Sequence, residues 1–262
     1  MTDYPTAYAQ WQAQRLAALK APDGWLNIIA RDTLAEGTVS VGSAPDNDIV
    51  LSAGPAHVGR ITQGADGGVT YTPADGGAPM ALDLSQYRPP RFTAGNLLLE
   101  VTTLNGAHAL RVRDTTSSAP GRLPPLDYFP LDPSWRIHAE WVALEAPKGL
   151  VIDTSRSIRT EVEATRKAVF TRDGVTYELL ATHGTPQSLQ FVIRDLTARD
   201  STYPACRFLF GEEVTDHSIV LDFNKAINPP CAFTDFAVCP LPPPENVLPI
   251  RIEAGEKRLR GS

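Results

Sequence analysis

GTVSVGSAPDNDIVLSAGPAHVGRITQGADGGVTYTP, residues 37–73, sets short β-branched runs (GTVSVG, NDIVL, GRITQ, GVTYTP) between clusters of Gly, Pro, Asn and Asp. Val, Ile, Thr and Tyr suit a pleated, half-buried surface, while Gly, Pro, Asn and Asp supply the backbone conformations that turns need. Short strands punctuated this closely predict an antiparallel sandwich or barrel, and ADGG ahead of VTYT carries a hairpin turn. The same texture continues outward. WLNIIA precedes the stretch, NLLLEVTTL follows it, and HALRVRD (108–114) alternates apolar and polar positions as a half-buried strand does. RIHAEWVAL, LVIDT, KAVFT, TYELLAT, LQFVIRD, CRFLF and HSIVLDF read as further strands, with TRDGVT turning one into the next.

Only the start of the chain breaks the pattern. Tyr4, Tyr8, Trp11, Arg15 and Leu19 fall at helical spacing, Asp3 can cap, Pro5 suits a first turn and Pro22 stops the helix, which predicts a helix over 4–20. Residues 115–133, rich in Ser, Pro and Gly, read as a long loop with LDYFPL packed inside it. The expected fold is therefore mainly β, in three parts. An N-terminal helix and lead-in (1–27) is followed by a sandwich region (28–95) and by a C-terminal β domain closed by a proline-rich segment (96–262).

Composition narrows the function classes. At 262 residues, with 42 % hydrophobic and 21 % charged, the chain buries enough surface to fold without staples. Its net charge of −6 leaves Lys257, Arg258 and Arg260 as the sole basic cluster, too small to neutralise a run of phosphates, so neither nucleic acid nor an anionic membrane is an expected partner. The N-terminus has no basic start and no apolar core, and no run of ~18 apolar residues follows, so a cytoplasmic location with reduced cysteines is expected. The sequence has no G-x-S-x-G, P-loop, dinucleotide glycine fingerprint or H-E-x-x-H, and no cofactor is expected.

LDFNKAINPPCAFTDFAVCPLPPPENVLPI, residues 221–250, holds seven prolines, two cysteines and three asparagines among apolar residues. It reads as a rigid packed belt. Asp222 and Asn224, two apart, share a face if the strand continues through them. Asn228 precedes a proline and is held extended or in a turn. Glu245 and Asn246 end a proline run that lacks backbone donors. Two readings follow. In one, these side chains and Arg207 satisfy stranded carbonyls and lock the sheet edge. In the other they line a pocket in which Asp222, Glu245 and Arg207 are catalytic while Asn224, Asn228, Asn246, Tyr203 and Arg194 bind a small polar or anionic ligand. Cys206, Cys231 and Cys239 lack zinc-site spacing and read as small buried hydrophobes. A Cys231–His217–Asp222 nucleophile arrangement is a further possibility in space. His108, His138 and His183 read as incidental.

RFLF (207–210), LDFN (221–224), NPPCAF (228–233), CPLPPPEN (239–246) and AGEK (254–257), with GSAPDNDIVL (42–51), LRVRD (110–114) and YFPLDPSWR (128–136), resemble a bacterial and archaeal family filed as a domain of unknown function, number sixteen eighty-four. That resemblance implies relatedness and no reaction. VSVGSAPDNDIVLSAGPAHVGRI (39–61) is similar to forkhead-associated domains, sandwiches that read phosphothreonine. This implies a forkhead-associated-like sandwich for 28–95. Ser43 stands where those domains place an Arg and Gly54 where they place a Ser, so phosphothreonine reading is not implied. Two functions are expected: binding or transforming a small polar or anionic metabolite at a C-terminal pocket, or a non-catalytic interaction module using loops near Asp46–Asp48 and His57. The pattern specifies no oligomeric state.

Overall fold

The computed structural model describes residues 3–86, 88–185 and 188–259. Arg260, of the basic C-terminal cluster, lies outside them. The fold is mainly β, in several mostly antiparallel sheets. The chain divides into two compact units, Tyr8–Leu123 and Pro124–Ser262 with Met1–Ala7. Helix α1 (Tyr4–Lys20) begins as its sequence predicts, because the Thr6 N–H donates to Asp3 Oδ1 at 2.8 Å and satisfies one of the first-turn donors. Tyr8 and Leu19 are its buried residues, and Trp11 stacks on Tyr8.

In the first unit a 3-10 turn (Trp25–Asn27) leads into β1 (Ile28–Thr33), then β2 (Gly37–Gly42), β3 (Ile49–Val50), β4 (Gly59–Gln63), β5 (Val69–Pro73), β6 (Met80–Leu82), β7 (Arg91–Ala94), β8 (Leu97–Leu104) and β9 (Ala107–Asp114). These form a five-stranded sheet, β3-β2-β4-β5-β6, and a four-stranded one, β1-β9-β8-β7. One core draws on both: Val41, Ile61, Val69 and Tyr71 from the first, Phe92, Leu97, Leu99, Leu110 and Val112 from the second. The expected boundary at 95/96 falls in the turn between β7 and β8, which are neighbours in one sheet. β1 takes β9 as its partner. Residues 96–114 therefore fold with the sandwich, a long-range pairing that no local pattern signals.

The other face of β8 carries Glu100, buried at 1 % exposure among three guanidinia: Arg111 at 2.7 Å, Arg113 at 3.0 Å and Arg91 at 3.0 Å. Trp25 covers the group, its ring centroid 4.9 Å from the Arg111 guanidinium.

The second unit contains β10 (Arg136–Asp153), β11 (Arg159–Arg172), β12 (Val175–Leu180), β13 (His183–Thr185), β14 (Ser188–Ile193), β15 (Arg207–Glu212) and β16 (Ser218–Asp222), in the order β12-β11-β10-β16-β15-β14-β13. Asp173 and Gly174, both at positive φ, make the tight turn predicted in TRDGVT. The strand order dictates the shape. β12 and β13 are the two edges of the sheet, yet β12 ends at Leu180 and β13 begins at His183. Seven flat strands would separate their edges by about 29 Å, whereas three peptide steps reach at most ~11 Å. The sheet must therefore curl until its edges approach, without closing into a barrel.

The register gives the curl two ends. Arg136 pairs with Asp222 and Ile193 with Arg207, which marks one end. Trp141, Leu189 and Ser218 mark the other, since β10 and β15 run away from the first end and β14 and β16 run toward it. Trp141, Phe170, Phe191, Ile193, Leu209, Ile219, Leu221 and Phe223 fill the interior. Trp135 joins the same core from a 3-10 turn ahead of β10.

Candidate functional site

The belt closes the first end, and its polar side chains form several separate clusters. Arg207, 2 % exposed, donates from Nη2 to Asp195 Oδ1 at 3.0 Å and to the Ile252 carbonyl at 3.2 Å, and from Nη1 to the Ala254 carbonyl. Asp195 also accepts the Ile252 N–H at 2.7 Å. Burial lowers the proton affinity of Arg207, and the charge of Asp195 opposes that shift. Asp222 ends β16, and Asn224 lies in the 3-10 turn beyond it (Phe223–Lys225) rather than on a continuing strand. Tyr4 donates its hydroxyl to Asp222 at 2.8 and 2.9 Å, and the Asn224 N–H and Nδ2 add donors at 3.2 Å. Asn224 then bridges both backbone groups of Asp132.

Asn228 donates to the Lys257 carbonyl at 2.8 Å, while its own N–H donates to Glu256 Oε2 at 2.7 Å. Asn246, fully buried, accepts the Leu180 N–H at 2.8 Å and donates to the carbonyls of Leu180 at 2.9 Å and Val192 at 3.0 Å. It thereby staples edge strand β12 to β14. Glu245 is a surface partner of Lys148 at 2.5 Å, which holds its carboxyl below the usual range. Arg194 exposes its side chain and lends its backbone to a parallel bridge with Val247. Tyr203 donates to the Cys231 carbonyl at 3.3 Å.

The geometry thus brings Asp222 and Asn224 together and scatters Arg207, Glu245, Asn228, Asn246, Tyr203 and Arg194 among other partners. Asp195, buried with Thr197 and Thr202, is the acidic group that Arg207 uses. It lies twelve residues upstream in sequence, and only the β14–β15 pairing brings it to Arg207. His217 immediately precedes β16 and Asp222 ends it, roughly 16 Å apart along an extended strand, which rules out a shared triad with Cys231. Among the described residues no group of three His, Cys, Asp or Glu side chains is placed to hold a metal ion.

In the first unit the loops near Asp46–Asp48 are tied internally. Asp48 accepts the Ser40 N–H at 2.8 Å and hydroxyl at 2.7 Å, and Asn47 donates to the Ala44 and Ala56 carbonyls. His57 and Asp46 lie 3.9 Å apart, both exposed.

A recess of about 560 Å³ lies at the other end of the curled sheet, lined among others by Trp141, Arg166, His183, Thr165, Thr182 and Thr215. It includes none of the belt residues. Trp141 of β10 is its floor, and the Arg166 guanidinium sits 5.4 Å from the Trp141 ring centroid. Arg166 Nη2 donates to the Trp141 carbonyl at 2.7 Å and to the Asp216 carbonyl, while its Nε is buried with no hydrogen-bond partner. His183 shares a 2.9 Å hydrogen bond with Thr182, and burial lowers its pKa below 6.5, which favours the neutral imidazole. Glu163 and Asp216 bring exposed carboxylates to the rim. Sequence reasoning missed this group because its members come from β10, β11, the β12–β13 and β15–β16 connections and β13–β14. No local signal was available, because two strands joined this closely read in sequence as an ordinary hairpin, and only the strand order makes them the two edges of one sheet.

A mainly β unit, curled and plugged at one end by a proline-rich belt, is the architecture to be matched to known proteins. The family described as "Protein of unknown function (DUF1684)" matches residues 122–257, and the chain belongs to that family. The chain is also similar to the uncharacterized protein from gene locus rrnAC0354 of Haloarcula marismortui, known from a solution NMR structure. The identity is 30 %, over 52 % of this chain and 81 % of that one, with a TM-score of 0.42. No curated protein matches. No helix among the described residues is long and apolar enough to cross a membrane.

Proposed function

We propose that the protein binds, or acts on, a small polar or anionic metabolite in the recess of its C-terminal unit. The observation that carries this reading is Arg166: a guanidinium fixed over Trp141 and by two backbone carbonyls, with a buried donor still unused, beside a 560 Å³ opening. Buried donors without partners are rare in folded proteins because each costs about 1–3 kcal/mol, and a ligand oxygen removes that cost. The surrounding threonine hydroxyls rotate to donate or accept. Neutral His183 offers one donor and one acceptor at neutral pH. Glu163 and Asp216 at the rim supply carboxylates for proton transfer if a reaction takes place there.

The test is a thermal-shift series with inorganic phosphate, mono- and dicarboxylates and neutral sugars, on the wild type, Arg166→Leu and the belt variant Asp222→Asn. Ligand at ~100 times its dissociation constant stabilises by about 2.7 kcal/mol. A shift lost in Arg166→Leu and kept in Asp222→Asn supports the recess. A shift that survives Arg166→Leu, or the absence of any shift, sinks it.

A further inference from the structure

Cys231 and Cys239, eight residues apart in the belt, are joined by Cys206 from just ahead of β15, away from the recess. The Cys231 N–H donates to Cys239 Sγ at 3.2 Å, the Cys206 thiol points to the Pro240 carbonyl at 3.6 Å, and Tyr203 donates to the Cys231 carbonyl at 3.3 Å. The three are free thiols. Their surroundings differ. Cys206 and Cys239 are buried at 1 % and 2 % exposure, whereas Cys231, in the 3-10 turn Pro230–Ala232, is only half-buried.

We propose that Cys231 and Cys239 are a peroxide-reactive dithiol, with Cys231 the attacking sulfur and Cys239 the sulfur that closes a disulfide. Exposure and charge assign the roles. Hydrogen bonding with the Cys239 side chain draws the Cys231 pKa down to about 7 against the effect of burial. The same hydrogen bond and burial push Cys239 up, and burial pushes Cys206 up. Only Cys231 therefore holds both the thiolate and the access that attack requires.

The step balances with hydrogen peroxide as oxidant. The Cys231 thiolate attacks one peroxide oxygen; the O–O bond breaks, an S–O bond forms, and hydroxide leaves to become water. Cys239 sulfur then attacks the Cys231 sulfenic acid; the S–O bond breaks, and the oxygen leaves as water with the Cys239 proton. Two thiols lose two electrons and the peroxide is reduced to two waters. The bond would join the 3-10 turn at Cys231 to the segment at Cys239 and Leu241, which is already tied to Asp153 at the end of β10 and to Ser155 just beyond it.

The test uses the full chain, reduced and then exposed to hydrogen peroxide, with intact-mass measurement and peptide mapping. The expected result is the loss of two hydrogens per chain, a Cys231–Cys239 cross-linked peptide, and reversal by dithiothreitol. Cys206→Ser should behave as wild type. Cys239→Ala, checked for folding by circular dichroism, should instead gain one oxygen at Cys231 that dimedone captures. Alkylation of Cys231 by iodoacetamide in the untreated protein should rise through a midpoint near pH 7 and outpace the other two. Recovery of Cys231 and Cys239 as separate alkylated thiols after peroxide would overturn the proposal, and so would a cross-link to Cys206. The mapping on the wild type decides the matter even if Cys239→Ala fails to fold.

Discussion

The two ends of the curled sheet contain similar residue types and use them differently. At the belt end Arg207 meets Asp195 and two carbonyls, and Asn246 makes three hydrogen bonds to the backbone. At the recess end Arg166 is held by two carbonyls and keeps a buried donor in reserve. A polar group whose bonding capacity is consumed by its own chain serves the fold. Arg166 Nε, buried beside an open recess with capacity left over, is the donor that the proposed ligand would use. The belt thus answers its own composition. Prolines strip the segment of backbone donors, and its asparagines tie it to backbone elsewhere: Asn224 to Asp132, Asn228 to Lys257, and Asn246 to Leu180 and Val192.

This comparison can be broken most forcefully at Arg207. Arg207→Ala leaves the buried Asp195 charge unpaired, and urea denaturation should show a loss of about 3–5 kcal/mol. A loss below ~1 kcal/mol would mean that the belt does not lock the sheet. Asn246→Ala strands the Leu180 N–H and two carbonyls, with an expected cost of roughly 3 kcal/mol. Because it unclips β12 from β14, amide exchange should quicken at Leu180 and Val192 before the rest of the sheet. Tyr4→Phe removes the hydroxyl that bridges both Asp222 oxygens and should cost about 2 kcal/mol, with the backbone signals of Asp222 and Asn224 shifting.

Glu100 sharpens the same lesson in the other unit. Burial penalises its charge, but Arg113 and Arg111 outweigh that and hold the carboxyl below its ordinary 4.5. A depressed carboxylate contributes stability that is complete above the unfolded value and is lost as pH falls through the folded one. The unfolding free energy should therefore decline on acidification below pH 4.5, with a shallower decline in Glu100→Gln. The smallest effect concerns His183. Burial depresses its proton affinity, so the unfolded chain binds the proton more readily, and stability weakens slightly as pH drops below 6.5. Proton NMR should place its titration midpoint below 6.5, and a midpoint above that value would remove the neutral imidazole from the recess.

The sequence carried much of the fold. Asp3, Pro5 and Pro22 marked the bounds of α1, and β-branched runs between turn residues located most strands, because caps, turns and alternation are local. The β1–β9 pairing and the meeting of β12 with β13 are not local, and the first of them moved the limit of the sandwich past 95/96. The belt was legible as a rigid packed segment, and so was the possibility that its polar side chains serve stranded carbonyls. Their assignment to one pocket did not hold together, since a side chain's partners depend on which backbone groups the fold strands beside it. Arg166, Thr182 and His183 gave no sign at all. They are ordinary residues on an ordinary strand and turn until the curl gathers them.

The most direct test follows backbone amide chemical shifts while inorganic phosphate and small carboxylates are titrated into the wild-type protein. Progressive, saturable shifts at Arg166, Thr182, His183 and Thr215, with Arg207, Asp222, Asn224 and Asn246 unmoved, are the predicted result. Saturable shifts centred on Arg207, Asp222 and Asn224 would contradict it and return the binding site to the belt.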